Sequence, residues 1–151
     1  MDLLESTLFA PPIILLQTVL EEVRHRSLPL YNRLKALTKS DEKRVWVFYN
    51  EYRLCVCREY RWKILLKVGR ETAVVREENE TPNDRNDRGI RKSVSWYTAH
   101  LAQSRARTRV ASQSKPPTVI LLTEDAANRQ KAQAEGIVAM GGERSCEYVA
   151  I

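Results

Sequence analysis

At 151 residues with 43% hydrophobic side chains, the chain is long enough for one domain with a real core and has the apolar residues to fill it. A formal net charge of +6 and a pI near 9.4 suit a polyanionic partner, nucleic acid ahead of an acidic membrane. Three cysteines, Cys55, Cys57 and Cys146, include a C-x-C with neither His25 nor His100 near it in sequence, which argues against a zinc site or a disulfide and reads the thiols as reduced and intracellular.

Residues Met1 to Phe9 can form one or two helical turns carrying Leu3, Leu4 and Leu8, which Pro11-Pro12 must stop. The apolar run from Pro11 to Leu20 is too short to span a bilayer, is interrupted by Gln17 and lacks the flanks of a cleaved leader, so a soluble chain is expected. Within it, Ile13 to Leu16 reads as a central parallel strand covered on both faces, ended by Gln17-Thr18. A helix follows at once with apolar residues at 19, 20 and 23. It places Glu22 just beyond the carboxyl end of the strand, the edge where open α/β sheets bind ligands.

Ser27 caps a second helix, with Leu30, Leu34 and Leu37 on the apolar side and Arg33, Lys35 and Lys39 outward. That basic face is either a phosphate contact or a solvated surface. Val45 to Tyr49 is β-branched and aromatic, the composition of a strand inside the sheet. Cys55 to Arg70 alternates basic and apolar residues as a hairpin arm or an exposed loop. Its Tyr60, Arg61, Trp62 and Lys63 have the interleaving of rings and cations that can track single-stranded nucleic acid.

The most informative stretch is Glu80 to Arg91. Thr81 is a capping residue, Pro82 suits the first helical position, and Asp84 stands where the acid of a capping box stands. Asp87 heads the apolar stripe that continues through Ile90, Val94, Tyr97 and Leu101. Two readings of that carboxylate stand side by side. Asp84 and Asp87 answer the helix dipole and pair with Arg85, Arg88 and Arg91, or Asp87 is a metal-binding acid aimed at a sheet edge.

Beyond this helix, Gln103 to Pro117 has almost no large apolar residue and reads as a mobile loop. Thr118 to Leu122 is the clearest strand, and Thr123-Glu124-Asp125 ends it with acids, Asp125 doubling as a helix cap. That helix runs to Glu135 and closes at Gly136, Ile137 to Met140 forms a last strand, and Ser145 to Ile151 covers the edge as a turn of helix. Glu22, Asp87 and Asp125 then occupy matched places, which alternating β and α units would bring to one side of a parallel sheet. Carboxylates gathered there are the oxygen donors that magnesium or manganese needs, with positions left for water and phosphate.

The residues resemble a known family, the PIN-domain ribonucleases, and within it the PIN domain of the catalytic subunit of the eukaryotic RNA exosome. The resemblance is carried by Leu16 to Arg24, by Ser27 to Leu34, by Asn83-Asp84-Arg85-Asn86-Asp87-Arg88, by Trp96-Tyr97 and by Leu122 to Asp125 with Asn128-Arg129. It implies an α/β fold, a three-layer α/β/α sandwich around a central parallel sheet. It also implies endonucleolytic cleavage of single-stranded RNA in RNA processing and decay, with acids holding Mg2+ or Mn2+ that activate water for in-line attack on phosphorus.

Position by position, Glu22, Asp87 and Asp125 match the second, third and fourth acids of the family and become the expected catalytic, metal-binding set. Arg24, Arg88, Arg91 and Arg129 become the expected RNA-binding residues beside them. The implied partners are single-stranded RNA and exosome core subunits, with no membrane, in the nucleus and secondarily the cytoplasm. Asp84 is the lesser member of its pair, because only Asp87 has Ile90 and Val94 at three and seven residues onward.

The departures are specific. The first acid of the family lies in an Asp-Thr-Asn strand upstream of the segment matching Met1-Asp2-Leu3-Leu4, so residues 1–151 read as a single truncated domain with the first strand and first acid missing. Cleavage is accordingly expected to be impaired, and the alternative is a non-catalytic module that binds RNA or docks on the exosome core. Residues 55–70 interrupt the family pattern, since Leu54 continues into Glu71-Thr72, and read either as an insertion or as a read-through intron in the gene model.

Overall fold

The computed structural model of the chain describes residues 2–5, 12–40, 43–50, 71–107 and 118–142, which fall into two compact units divided after Val75. Residues 55–70, residues 108–117 of the expected loop and the stretch 145–151 expected to form a turn of helix lie outside the described residues.

In the first unit, α1 (Asp2–Glu5) precedes β1 (Ile13–Leu16), α2 (Gln17–Arg26), α3 (Leu28–Leu37) and β2 (Val45–Phe48). The two strands pair in parallel, Ile13 with Val45 through Leu16 with Phe48, so both helices belong to the crossover that a parallel pair requires. Leu15, Leu34 and Val45 form the buried centre, and Leu4, Ile13, Leu20, Val23 and Leu37 pack against it. Burying a side chain such as Leu34 contributes about 2 kcal/mol by removing its apolar surface from water.

Ser27 caps α3 as its type predicts, its hydroxyl accepting from the Leu30 main-chain nitrogen at 3.4 Å with Pro29 in the first turn. Strand β2 buries one of its faces: Trp46 is 54% exposed while Val45 beside it is buried. Adjacent strand residues face opposite ways, and here the outward one is the tryptophan.

Behind the carboxyl ends of these strands lies a buried polar tie. Asn50 Oδ1 accepts from the Thr18 main-chain nitrogen at 3.2 Å, Asn50 Nδ2 donates to Thr18 Oγ1 at 2.7 Å, and Thr72 Oγ1 donates to the Asn50 carbonyl at 3.1 Å. The first of these satisfies an amide in the opening turn of α2 that no helical carbonyl can reach.

The second unit contains α4 (Pro82–Arg107), β3 (Leu121–Leu122), α5 (Ala126–Ala134) and β4 (Ala139–Met140), with β3 and β4 parallel and Leu121 opposite Ala139. Ile90, Val94, Leu121, Ala132, Ile137, Ala139 and Met140 are its buried apolar residues. Gly136 ends α5 at φ 77°, with its own nitrogen bonded to the Gln133 carbonyl and the Ile137 nitrogen bonded to Ala132. That pair of bonds is a Schellman closure, and it needs the left-handed backbone that glycine adopts without strain.

Several boundaries differ from expectation. Helix α4 continues to Arg107, five residues into the stretch read as a loop from Gln103. Leu101 to Arg107 contains alanine, glutamine and arginine, all good helix formers, and a polar solvated helix end needs no large apolar residue. Strands β3 and β4 are two residues each rather than five and four, because the ladder pairs only Leu121 with Ala139 and Leu122 with Met140.

Candidate metal and RNA site

The candidate site begins at the start of α4, where Thr81 caps the helix. The Asp84 main-chain nitrogen donates to Thr81 Oγ1 at 3.1 Å, and the Thr81 hydroxyl donates to Asp84 Oδ2 at 2.6 Å. Lys131 Nζ lies 3.5 Å from the other oxygen, Asp84 Oδ1. The Thr81 hydrogen bond, helped by Lys131, holds the Asp84 carboxyl below the usual carboxylate range. Asp84 is thus a capping acid.

Just upstream, the Arg88 guanidinium grips Glu80 with two bonds, Nε to Oε1 at 2.9 Å and Nη2 to Oε2 at 2.7 Å, and approaches Glu77 at 3.1 Å. The Glu80 carboxyl is held down to about 2, first by the Arg88 hydrogen bonds and then by the Glu77 main-chain nitrogen. Arg88 thereby fastens the loop before α4 to its first turns.

One turn into α4, Asp87 Oδ1 accepts from Asn128 Nδ2 at 3.0 Å. The Asn128 main-chain nitrogen donates to Asp125 Oδ1 at 2.9 Å, which is the N-cap bond of α5. A single residue therefore donates to both acids. Asn128 Oδ1 accepts from Arg91 Nη1 at 2.9 Å, and Arg91 Nε reaches Glu135 Oε1 at 2.7 Å. Arg91 and Asn128 are buried at 6% and 2% exposure, whereas Asp87 is half-buried and Asp125 exposed.

A sequence profile described as PIN domain matches residues 1–143. This chain belongs to the PIN domain family. Within that family it matches the catalytic subunit of the exosome: it is 40% identical over 137 residues to Exosome complex exonuclease RRP44 of Mus musculus, covering 91% of this chain and 12% of that protein. Identity is 35% over 125 residues to Exosome complex exonuclease dis3 of Schizosaccharomyces pombe, covering 83% of this chain and 10% of that protein. Among solved structures, the T. brucei RRP44 PIN domain superposes with a TM-score of 0.62 at 25% identity, covering 89% of this chain and 76% of that one. The chain spans about one eighth of the length of the mouse relative. Parallel strand pairs flanked by helices are the α/β arrangement expected of a PIN-like sandwich.

Of the acids expected in this PIN domain, Asp87 and Asp125 are brought to the same residue, Asn128, in the second unit, and Glu22 stands half-buried on α2 in the first. Among the described residues no group of three or more His, Cys, Asp or Glu side chains is assembled. The donor chemistry of the Asp87–Asp125 pair fits Mg2+ or Mn2+ all the same. Each carboxylate oxygen has two acceptor positions, and such cations take one or two protein carboxylates and fill the remaining positions from water and phosphate.

The four expected RNA-binding arginines have different surroundings. Arg24 is exposed at the end of α2, 6.0 Å above the Tyr31 ring. Arg129 Nη1 donates to the Thr123 carbonyl at 2.7 Å and braces the turn before α5. Arg88 is ion-paired to Glu80 and Glu77, and Arg91 is buried against Asn128 and Glu135.

Asn128 and Glu135 were not expected to have a role in this PIN domain. A signal for Asn128 does exist in the sequence: it stands four residues before Ala132, on the face of α5 that is buried, and a polar residue in such a stripe must find partners.

Proposed function

We propose that this PIN domain is a metal-dependent endonuclease acting on single-stranded RNA as part of an exosome catalytic subunit, in RNA processing and decay. The observation that carries this reading is the convergence of Asp87 and Asp125 on Asn128, two carboxylates held by neighbouring donors. When bound, Mg2+ or Mn2+ would supply an activated water and neutralise charge on the phosphate. Asp87 and Asp125 would hold it; Glu22, in the first unit, remains the proposed further acid of the reaction. Arg129 would meet the RNA backbone beside it, as would Arg88 on release from its glutamates, and Arg24 is the proposed RNA contact of the first unit.

The testing experiment is cleavage of a circular single-stranded RNA in Mn2+. Wild-type chain should nick the circle and the Asp87→Asn variant should not; equal cleavage by both sinks the reading.

A second reading, a module that binds RNA or docks on the exosome core without catalysis, draws support from the number of acids assembled, two rather than three among the described residues. Core-subunit or RNA binding that is indifferent to Mn2+ and to Asp87→Asn, together with no cleavage, would select it.

A further inference from the structure

We propose that Arg91 and Asn128 are positioning residues: Arg91 locks the orientation of the Asn128 amide, which holds Asp87 beside Asp125, itself bonded to the Asn128 main-chain nitrogen, for a divalent cation. This rests on the metal-dependent reading above and extends it to residues that touch neither metal nor RNA.

A guanidinium at 6% exposure must have its charge met, and Arg91 meets it with Glu135 Oε1 at 2.7 Å from Nε and Asn128 Oδ1 at 2.9 Å from Nη1. The planar fork serves both acceptors at once, which a lysine ammonium cannot do in the same geometry.

With Asn128 Oδ1 committed to Arg91, the other end of the amide is necessarily its NH2 group, and that group meets Asp87 Oδ1 at 3.0 Å. Reversing the amide would set NH2 against guanidinium and carbonyl oxygen against carboxylate, so Arg91 leaves one orientation available. The main-chain nitrogen of the same residue holds Asp125 Oδ1 at 2.9 Å. Donor and acceptor thus alternate without a gap from Glu135 through Arg91 and Asn128 to Asp87. No buried side-chain nitrogen or oxygen among the described residues lacks a partner. One buried asparagine, held by one buried arginine, thus donates to both acids, and Asn83 Nδ2 lies 3.5 Å from the other Asp87 oxygen, Oδ2.

The test is Mn2+ affinity of the full chain, read from the electron paramagnetic resonance signal of free Mn2+, for wild type, Asp87→Asn, Asn128→Ala, Arg91→Met, Arg91→Lys and the Arg91→Met/Asn128→Ala pair. Each unfolding transition is followed without metal. Asp87→Asn should lose the site. Asn128→Ala and Arg91→Met should each weaken Mn2+ binding roughly 10- to 100-fold, the range for partners that orient metal ligands. The double variant should be no weaker than either single one, and Arg91→Lys should recover part of the loss.

Should Arg91→Met fail to fold, Arg91→Lys and Asn128→Ala still decide the matter. Wild-type affinity in both overturns the positioning role while Asp87→Asn keeps the metal reading intact. Wild-type affinity in Asp87→Asn overturns the metal reading itself. Losses that add in the double variant also overturn the proposal, because they make the two residues independent.

Discussion

Asp87 on α4 accepts a 3.0 Å hydrogen bond from Asn128 on α5, 41 residues further along the chain. Asp84, three residues earlier, is instead engaged with the cap hydroxyl of Thr81 and with Lys131. The two acids of the Asn-Asp-Arg repeat should therefore respond differently to the same change. In the circular-RNA assay with Mn2+, Asp87→Asn should lower the cleavage rate about a hundredfold or more, beyond what losing an orienting partner costs. Asp84→Asn should leave it within about threefold, since a half-exposed pair with lysine is worth little.

Thr81 both caps α4 and anchors Asp84. Thr81→Ala should cost about 1 kcal/mol, the usual loss for a missing N-cap oxygen. Urea unfolding checks it, with a lower midpoint and an unchanged slope.

The Glu80–Arg88 pair predicts a pH signature. The Glu80 carboxyl is depressed from an ordinary 4.5 to about 2, so its ionised form favours the folded state. The contribution is present in full above 4.5 and is lost as pH falls from there through about 2. Glu80→Gln should melt a few degrees below wild type near neutral pH, and the gap should narrow under 4.5 and close near 2. Raising salt should shrink it as well, because Arg88 stands partly in solvent.

Asn50 is buried with Thr18 and Thr72 around it. Asn50→Ala removes the acceptor for an α2 amide and the donor for the Thr18 hydroxyl, at a cost of about 2–3 kcal/mol in denaturant unfolding. Thr72→Val, which removes only a donor to the Asn50 carbonyl, should cost about 1 kcal/mol.

A Cβ at Gly136 would meet nothing within 4 Å, so only the backbone opposes a side chain there. Gly136→Ala should destabilise by about 1 kcal/mol through the left-handed φ of 77°. Gly136→Asn should lose less, asparagine tolerating that region better, and thermal melts of the two variants provide the comparison.

Local chemistry made much of this fold readable. Thr81, Ser27, Asp125 and Gly136 act where they stand because capping depends on the residue and its immediate neighbours. The Ile13–Leu16 strand was equally legible, as a wholly apolar run bounded by a helix start.

What escaped depended on distant partners. The length of β3 is set by β4, and the exposure of Trp46 by what covers one face of β2. Arg91 was expected to contact RNA, and nothing within a helical turn announces that Glu135 and Asn128 will enclose it. For the site itself, Asp87 and Asp125 were legible as acids at matched edges. The asparagine between them was visible only as a polar interruption on a buried helical face.

The bond from Asn128 to Asp87 also has a consequence for the order of assembly. A growing chain that has reached Arg107 contains all of α4, but the residue that joins Asp87 to Asp125 is not yet made. Closing a loop of this length costs roughly 3 kcal/mol of chain entropy, which the local capping bonds cannot supply. The paired acids accordingly come into being only after α5 has been synthesised and docked. During synthesis, Asp87 is present long before the geometry that gives it a purpose.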